Sequence, residues 1–144
     1  TAIELAKQAG ERGEIPVGAV LILDDKIIGR GRNQSIELND PTAHAEIQAL
    51  REAGSKIGNY RLRGSKIYVT IEPCTMCFGA LVHARIEKLV FGAKEPKSGA
   101  FTSASEISKR NSCNHRFNVL DGILEDECSQ LITNFFQARR AEQL

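Results

Sequence analysis

Two short segments of the 144-residue chain carry side chains able to do chemistry together. Pro41-Thr42-Ala43-His44-Ala45-Glu46 offers an imidazole and a carboxylate, and Pro73-Cys74-Thr75-Met76-Cys77 offers two thiols. One histidine and two cysteines suit zinc. Three protein ligands with a fourth position open describe a catalytic zinc site, whereas a structural site closes all four positions with protein. Glu46 is then a carboxylate the metal does not need. Zinc lowers the pKa of its bound water to about 7. A carboxylate beside that water can take its proton as general base and return it to a reacting group. A C-x-x-C pair alone is often redox-active or structural; the His-x-Glu upstream moves the reading toward catalysis.

These residues need elements to position them. Cys74 and Cys77 are three apart, which on a helix puts both on one face. Pro73 suits a helix start, and the positive end of the helix dipole favours thiolates there. Thr42 is the expected N-cap of a second helix over residues 43–54, with Ile47, Leu50 and Ala53 inward and Gly54 as its stop. His44 and Glu46 are two apart and would diverge in a helix interior. In the first turn both could still reach one site, a geometry the spacing leaves open.

The rest of the chain supplies a scaffold. A helix is expected over residues 2–12, and an apolar strand over 15–23 turns at Asp24-Asp25 into a partner over 26–32. A polar loop covers 33–40 and a basic loop 59–64. Residues 66–71, 74–84 and 87–92 read as strand, helix and strand, a unit that makes its strands parallel. A loop over 94–102, a short helix over 103–109 and a short strand over 117–120 follow. In the last helix Cys128, Leu131, Ile132, Phe135 and Phe136 have amphipathic spacing. Its acids, Glu125 to Glu127, open it and Arg139-Arg140 close it, as its dipole prefers. The fold class is α/β: one domain over 1–144, a three-layer αβα sandwich with a mixed sheet of about five strands.

Composition sets outer limits. Hydrophobic residues make up 42% and charged residues 26%, ordinary for a globular chain. The net charge of +1 implies nothing about nucleic acid, so such a claim must rest on local features. No apolar run reaches the roughly 20 residues of a membrane span. With no signal peptide visible, an intracellular, cytoplasmic setting is expected, with Cys113 and Cys128 as free thiols.

The residues resemble a known family. H-x-E followed by P-C-x-x-C is the signature of the zinc-dependent nucleobase deaminases. The chain resembles the cytidine deaminase superfamily, and within it the bacterial tRNA-specific adenosine deaminases. The likeness runs nearly end to end. It covers Gly13 to Val20, Asp40 to Glu46, Asn59 to Leu62, Glu72 to Cys77, Phe91 to Ala93, Asn114-His115-Arg116, and Phe135-Phe136 with its basic end. The resemblance implies a cytidine deaminase-like fold and one zinc held by His44, Cys74 and Cys77, with Glu46 as proton shuttle. It implies that Asn33 hydrogen-bonds a flipped base and that Pro16, Val17 and Ala43 line its pocket. It further implies hydrolytic conversion of adenosine to inosine at the wobble position of an arginine tRNA anticodon, by a homodimer. Glu95 stands where the family has Asp, in a loop that meets the substrate backbone.

Each residue also has a plainer reading. Asn33 in a polar loop is more often a turn residue. By periodicity Phe135 and Phe136 are core residues, although one could stack on a flanking nucleotide. Arg139 and Arg140 read as a solvated helix end. Lys94, Lys97, Arg116, Arg61 and Arg63 could contact phosphates if they converged around one mouth. Glu72 reads equally as support for the metal or as a buried structural carboxylate. The competing functions are a deaminase of a free base or nucleoside such as guanine or cytidine, and a zinc-stabilised RNA-binding module without activity.

Overall fold

The computed structural model describes residues 1–101 and 115–142. Its elements are α1 (Ala2–Glu11), β1 (Gly18–Leu23), β2 (Lys26–Arg32), α2 (Ala45–Ile57), β3 (Lys66–Ile71), α3 (Thr75–Ala84), β4 (Lys88–Ala93), β5 (Asn118–Leu120) and α4 (Glu125–Glu142). The helix expected over 103–109, and Cys113, lie outside the described residues. The strands form one sheet in the order β2-β1-β3-β4-β5. β1 runs antiparallel to both its neighbours, and β3, β4 and β5 run parallel. This is the expected mixed sheet, with α3 as the crossover between parallel strands.

Glycines set how closely the helices lie on the two faces. A Cβ at Gly18 would fall 2.0 Å from the Ala2 carbonyl oxygen of α1, and one at Gly92 would fall 2.5 Å from Cys128 Sγ of α4. On the opposite face, a Cβ at Gly31 would fall 2.0 Å from the Ala45 carbonyl oxygen and 2.6 Å from the Ala49 nitrogen of α2. The first turn of α2 therefore rests directly on β2 backbone. Leu21, Ile67, Leu89 and Phe91 of the sheet form the core with Ala45, Ala49 and Ala53 of α2 and Phe78 and Leu81 of α3. Phe78 meets Phe101 edge to face, with ring centroids 5.2 Å apart.

Several boundaries differ from the expected ones. β1 begins at Gly18 because Pro16 has no N–H to donate, and the Val17 N–H turns back to the Ile15 carbonyl at 2.9 Å. Thr42 is not the N-cap of α2. Its hydroxyl and N–H both go to Asp40 Oδ1, at 2.7 and 2.8 Å, and His44 is the capping residue. Nor does Gly54 stop the helix. α2 runs on to Ile57, and Gly58, at φ 76°, terminates it by donating its N–H to the Gly54 carbonyl. Cys74, with extended backbone, is the N-cap of α3, so Pro73 stands just outside that helix. Cys128 is a buried free cysteine. Among the described residues no helix is long and apolar enough to cross a membrane.

Candidate active site

Two helix N-termini deliver the chemical groups. His44 is the N-cap of α2 and Cys74 the N-cap of α3; both have extended backbone, and neither side chain caps its own helix. Their donor atoms therefore remain available to each other. Cys77, in the first turn of α3, is fully buried. His44 Nδ1 lies 3.6 Å from Cys74 Sγ and 3.5 Å from Cys77 Sγ. The ligand atoms of His44, Cys74 and Cys77 all fall within 4.8 Å of one another, a group able to hold a metal ion. The fit can be tested by length. A tetrahedral ion with bonds of about 2.3 Å to sulfur and about 2.0 Å to nitrogen holds those atoms about 3.5 Å apart. The observed separations match.

The three donors share protons unequally. Cys74 is held down to about 4, first by its hydrogen bond from Cys77 and then by His44. Cys77 is pushed up, first by the same contact with Cys74 and then by burial. His44 is raised, chiefly by its hydrogen bond with Cys74. Glu46 occupies the first turn of α2, is 3% exposed and is not one of the three donors. Burial raises its pKa, partly offset by its own backbone N–H and by the His44 charge. A buried carboxyl group thus stands beside a metal-binding set it does not complete, which is the arrangement general acid–base chemistry needs.

An open cleft of about 480 Å³ reaches the site, lined by Gly13, Glu14, Asn33, His44, Phe135, Phe136, Arg139 and Arg140 among others. Asn33 serves two surfaces. Its Oδ1 accepts from the Ala45 N–H at 2.9 Å, satisfying one orphan donor at the start of α2, which leaves the amide NH₂ as its free donor in the cleft. Phe135 and Phe136 meet edge to face at 5.4 Å; Phe135 is half-buried, and Phe136 is 40% exposed. Arg139 is not a plain solvated helix end. Its guanidinium lies 4.9 Å from the Phe135 ring centroid and donates to the Gly13 carbonyl.

Not every expected site residue faces this cleft. Pro16, Val17 and Ala43 are buried and do not line it. Val17 and Ala43 frame Asn33 from behind: the Asn33 N–H goes to the Val17 carbonyl and the Gln34 N–H to the Ala43 carbonyl. Glu95 is half-buried in the loop after β4, where its carboxylate accepts the Lys97 N–H at 3.0 Å. That loop adjoins the metal ligands, since Gly99 bridges to Cys74 and the Ala100 N–H goes to the Pro73 carbonyl. The basic residues do not converge on this mouth. Lys94, Lys97, Arg61, Arg63 and Arg116 are absent from its lining.

Two buried acids support the site. Glu72, 2% exposed, accepts from the Glu95 and Phe101 N–H groups at 3.0 and 2.9 Å, so it clamps the loop beside Cys74. Glu14, equally buried, accepts from the Ile36 and Glu37 N–H groups at 3.1 and 2.8 Å and pins the Asn33 loop to the cleft floor. Sequence reasoning missed Glu14.

The geometry agrees with comparisons to known proteins. The family model for MafB19-like deaminases matches residues 1–140. A tRNA-specific adenosine deaminase of Haemophilus influenzae is 54% identical over 99% of this chain and 83% of its own. A solved structure from a study of A-to-I editing by tRNA:A34 deaminases superposes with a TM-score of 0.88 at 46% identity, covering 90% of this chain and 94% of that one. A guanine deaminase from Nitrosomonas europaea superposes with a TM-score of 0.77 at 23% identity over 93% of this chain and 80% of its own, a likeness of fold alone. With near-complete coverage, and with His44, Cys74, Cys77 and Glu46 assembled as deaminase chemistry requires, the chain belongs to the tRNA-specific adenosine deaminase family.

Proposed function

We propose that the protein is a zinc-dependent hydrolase that converts adenosine to inosine at the wobble position of a tRNA anticodon, that of an arginine tRNA. The observation that carries this reading is the buried Glu46 carboxyl beside a three-donor set that excludes it, one donor of which, His44, lines an open cleft edged by Asn33 and the exposed Phe136. His44, Cys74 and Cys77 would hold one zinc per subunit, and the ion would supply Lewis acidity that lowers the pKa of water to about 7. Glu46 takes the proton of the attacking water and delivers it to adenine N1 as C6 becomes tetrahedral. It then takes the proton of the new C6 hydroxyl and passes it to the departing amine, so that the C6 oxygen becomes the carbonyl of inosine. The C6–O bond forms, the C6–N bond breaks, one water is consumed and ammonia leaves.

The other residues place the base. The Asn33 amide donates to the extruded adenine. Pro16, Val17 and Ala43 line the pocket of that base, with Val17 and Ala43 also holding the Asn33 loop, Phe136 stacks on a flanking nucleotide with Phe135 bracing it, and Glu95 meets the substrate backbone. Bases in a loop are already partly unstacked, so extruding one costs less than the few kcal/mol taken in a duplex. The protein acts as a cytoplasmic homodimer over a single deaminase domain, 1–144. Sedimentation should therefore give twice the 15.8 kDa chain mass.

The test is ammonia release from an anticodon stem-loop, free adenosine, cytidine and guanine, run side by side. Turnover of the stem-loop with little on the small molecules is expected. Turnover of free guanine or cytidine with none on the stem-loop would replace this reading with a small-molecule deaminase. RNA binding without ammonia from any substrate would leave a binding module.

A further inference from the structure

A second cleft, of about 420 Å³, lies at the opposite edge of the sheet from the metal-binding group, lined by Arg63, Arg85, Glu87, His115 and Arg116 among others. Each arginine stands just before a parallel strand: Arg63 before β3, Arg85 before β4 and Arg116 before β5. Cys74 follows the far end of β3, so the length of that strand, on the order of 20 Å, separates this cleft from the site. Lys66 and Lys88, the first residues of β3 and β4, flank it and stand side by side in register. Like charges so placed repel. Five cations therefore line or flank this end, and among the described residues Glu87 is the one acid of the cleft lining, in a chain whose net charge is only +1.

The cleft is built from fixed backbone. The Leu62 N–H goes to the Ala84 carbonyl at 2.6 Å, the Glu87 N–H to the Ser65 carbonyl at 2.8 Å, and the Asn118 N–H to the Glu87 carbonyl at 3.1 Å. His115 Nε2 bonds the Ile86 carbonyl at 2.7 Å. Arg85 caps α3 in the left-handed region, at φ 60°, where glycine is the comfortable residue. A guanidinium held at a strained position invites a functional explanation. Among the described residues neither Arg63 nor Arg85 has an ion-pair partner.

We propose that this cleft binds phosphodiester groups of the RNA backbone, from the part of the tRNA beyond the anticodon stem-loop. Planar guanidinium forks from three separate segments suit phosphate oxygens. Contacts of this kind fix orientation without reading sequence. The occupant is inferred on the deaminase reading, which supplies a polyanion longer than the active-site cleft.

The test measures binding of full-length tRNA and of the isolated anticodon stem-loop by fluorescence anisotropy across a salt series. It uses the wild type, the Arg63→Gln/Arg116→Gln double variant, and Arg85→Gly, which removes the charge while relieving the backbone and so keeps its fold. For full-length tRNA the double variant should lose about two from its log K against log salt slope, and Arg85→Gly about one. Stem-loop slopes, and kcat on either RNA, should not move. Unchanged slopes for full-length tRNA overturn the proposal, as does an equal loss on the stem-loop. A titration with inorganic phosphate, followed by NMR of the arginine Nε–H signals, should move Arg63, Arg85 and Arg116. Movement there with unchanged tRNA slopes assigns the cleft to free phosphate and overturns the RNA assignment; no movement overturns the anion site itself. Slope changes in the variants together with no ammonia release from the wild type sink the deaminase reading and leave the cleft standing. Deamination with unaltered slopes does the reverse.

Discussion

Glu46 and His44 are two positions apart, yet the structure brings both to one site because His44 caps α2 and Glu46 lies in its first turn. In the proposed mechanism only Glu46 moves protons, so Glu46→Gln should lower kcat by about 10²- to 10⁴-fold. Zinc content by mass spectrometry should stay at about one per subunit. Near-normal turnover would remove Glu46 from the mechanism, and metal loss would place it among the ligands. Phe135 and Phe136 separate in the same way. Phe136 is 40% exposed and supports little packing, so Phe136→Ala should leave Tm nearly unchanged. Stacking on one base is worth about 1–3 kcal/mol, so KM for the stem-loop should rise by about five- to a hundredfold. An unchanged KM would return Phe136 to a plain surface role. The metal-binding residues could be read from sequence because their types and spacing have few other uses. Asn33 could not be read fully, because its Oδ1 serves the helix while its NH₂ faces the cleft. Glu14 was hidden because its partners are backbone N–H groups more than twenty residues away.

Strands were easier to place from sequence than helix ends. β2 and β3 match their expected bounds because turn-forming residues, Asp24-Asp25 and Asn33 around β2 and Gly64 and Pro73 around β3, stand at both ends. The ends of α2 were misplaced because competing local contacts displaced the expected cap and stop. Asp40 draws off the hydroxyl and N–H of Thr42, and Gly54 continues the helix although Gly58 was available to end it. The difference is measurable. Gly54→Ala adds a methyl whose nearest neighbour is the Asn59 carbonyl oxygen at an ordinary 3.5 Å, so it should stabilise the fold by about 0.5–1 kcal/mol. Gly58→Ala forces a side chain into φ 76° and should destabilise it by about 1 kcal/mol. Chemical denaturation reads both, and a reversed order would restore Gly54 as the stop. The turn before α2 also carries a pH signature. Asp40 is held below the usual carboxylate range, first by the Thr42 hydroxyl, then by the Thr42 N–H and by Arg51. A carboxyl lowered on folding contributes stability above its unfolded value, about 3.9, and loses it as pH falls through the folded value. Asp40→Asn should flatten that acid limb in denaturation curves taken from pH 5 downward, and a limb identical to wild type would show that the turn does not report on folding.

Across the molecule, the metal-binding group ties together two helices that begin thirty residues apart in the chain. α2 lies on β2 near one edge of the sheet, and α3 crosses between β3 and β4. An ion held by His44, Cys74 and Cys77 therefore joins segments that the unfolded chain does not hold together, and its binding energy becomes folding energy. At a free-metal concentration of about 100 times Kd the gain is about 2.7 kcal/mol. For a chain of this size each kcal/mol is worth about 2–4 °C, so chelation should lower Tm by about 5–10 °C. Restoring zinc should recover the loss. Glu46→Gln should show the same chelation-dependent shift, because Glu46 lies outside the donor set, whereas Cys77→Ala should show little or none. The core cluster around Leu21, Ile67, Leu89 and Phe91 includes none of the three donors, so chelated protein should keep its far-UV circular dichroism at 25 °C. Complete unfolding on chelation would instead make the metal a structural requirement, and a Tm indifferent to chelation would remove zinc from these three residues.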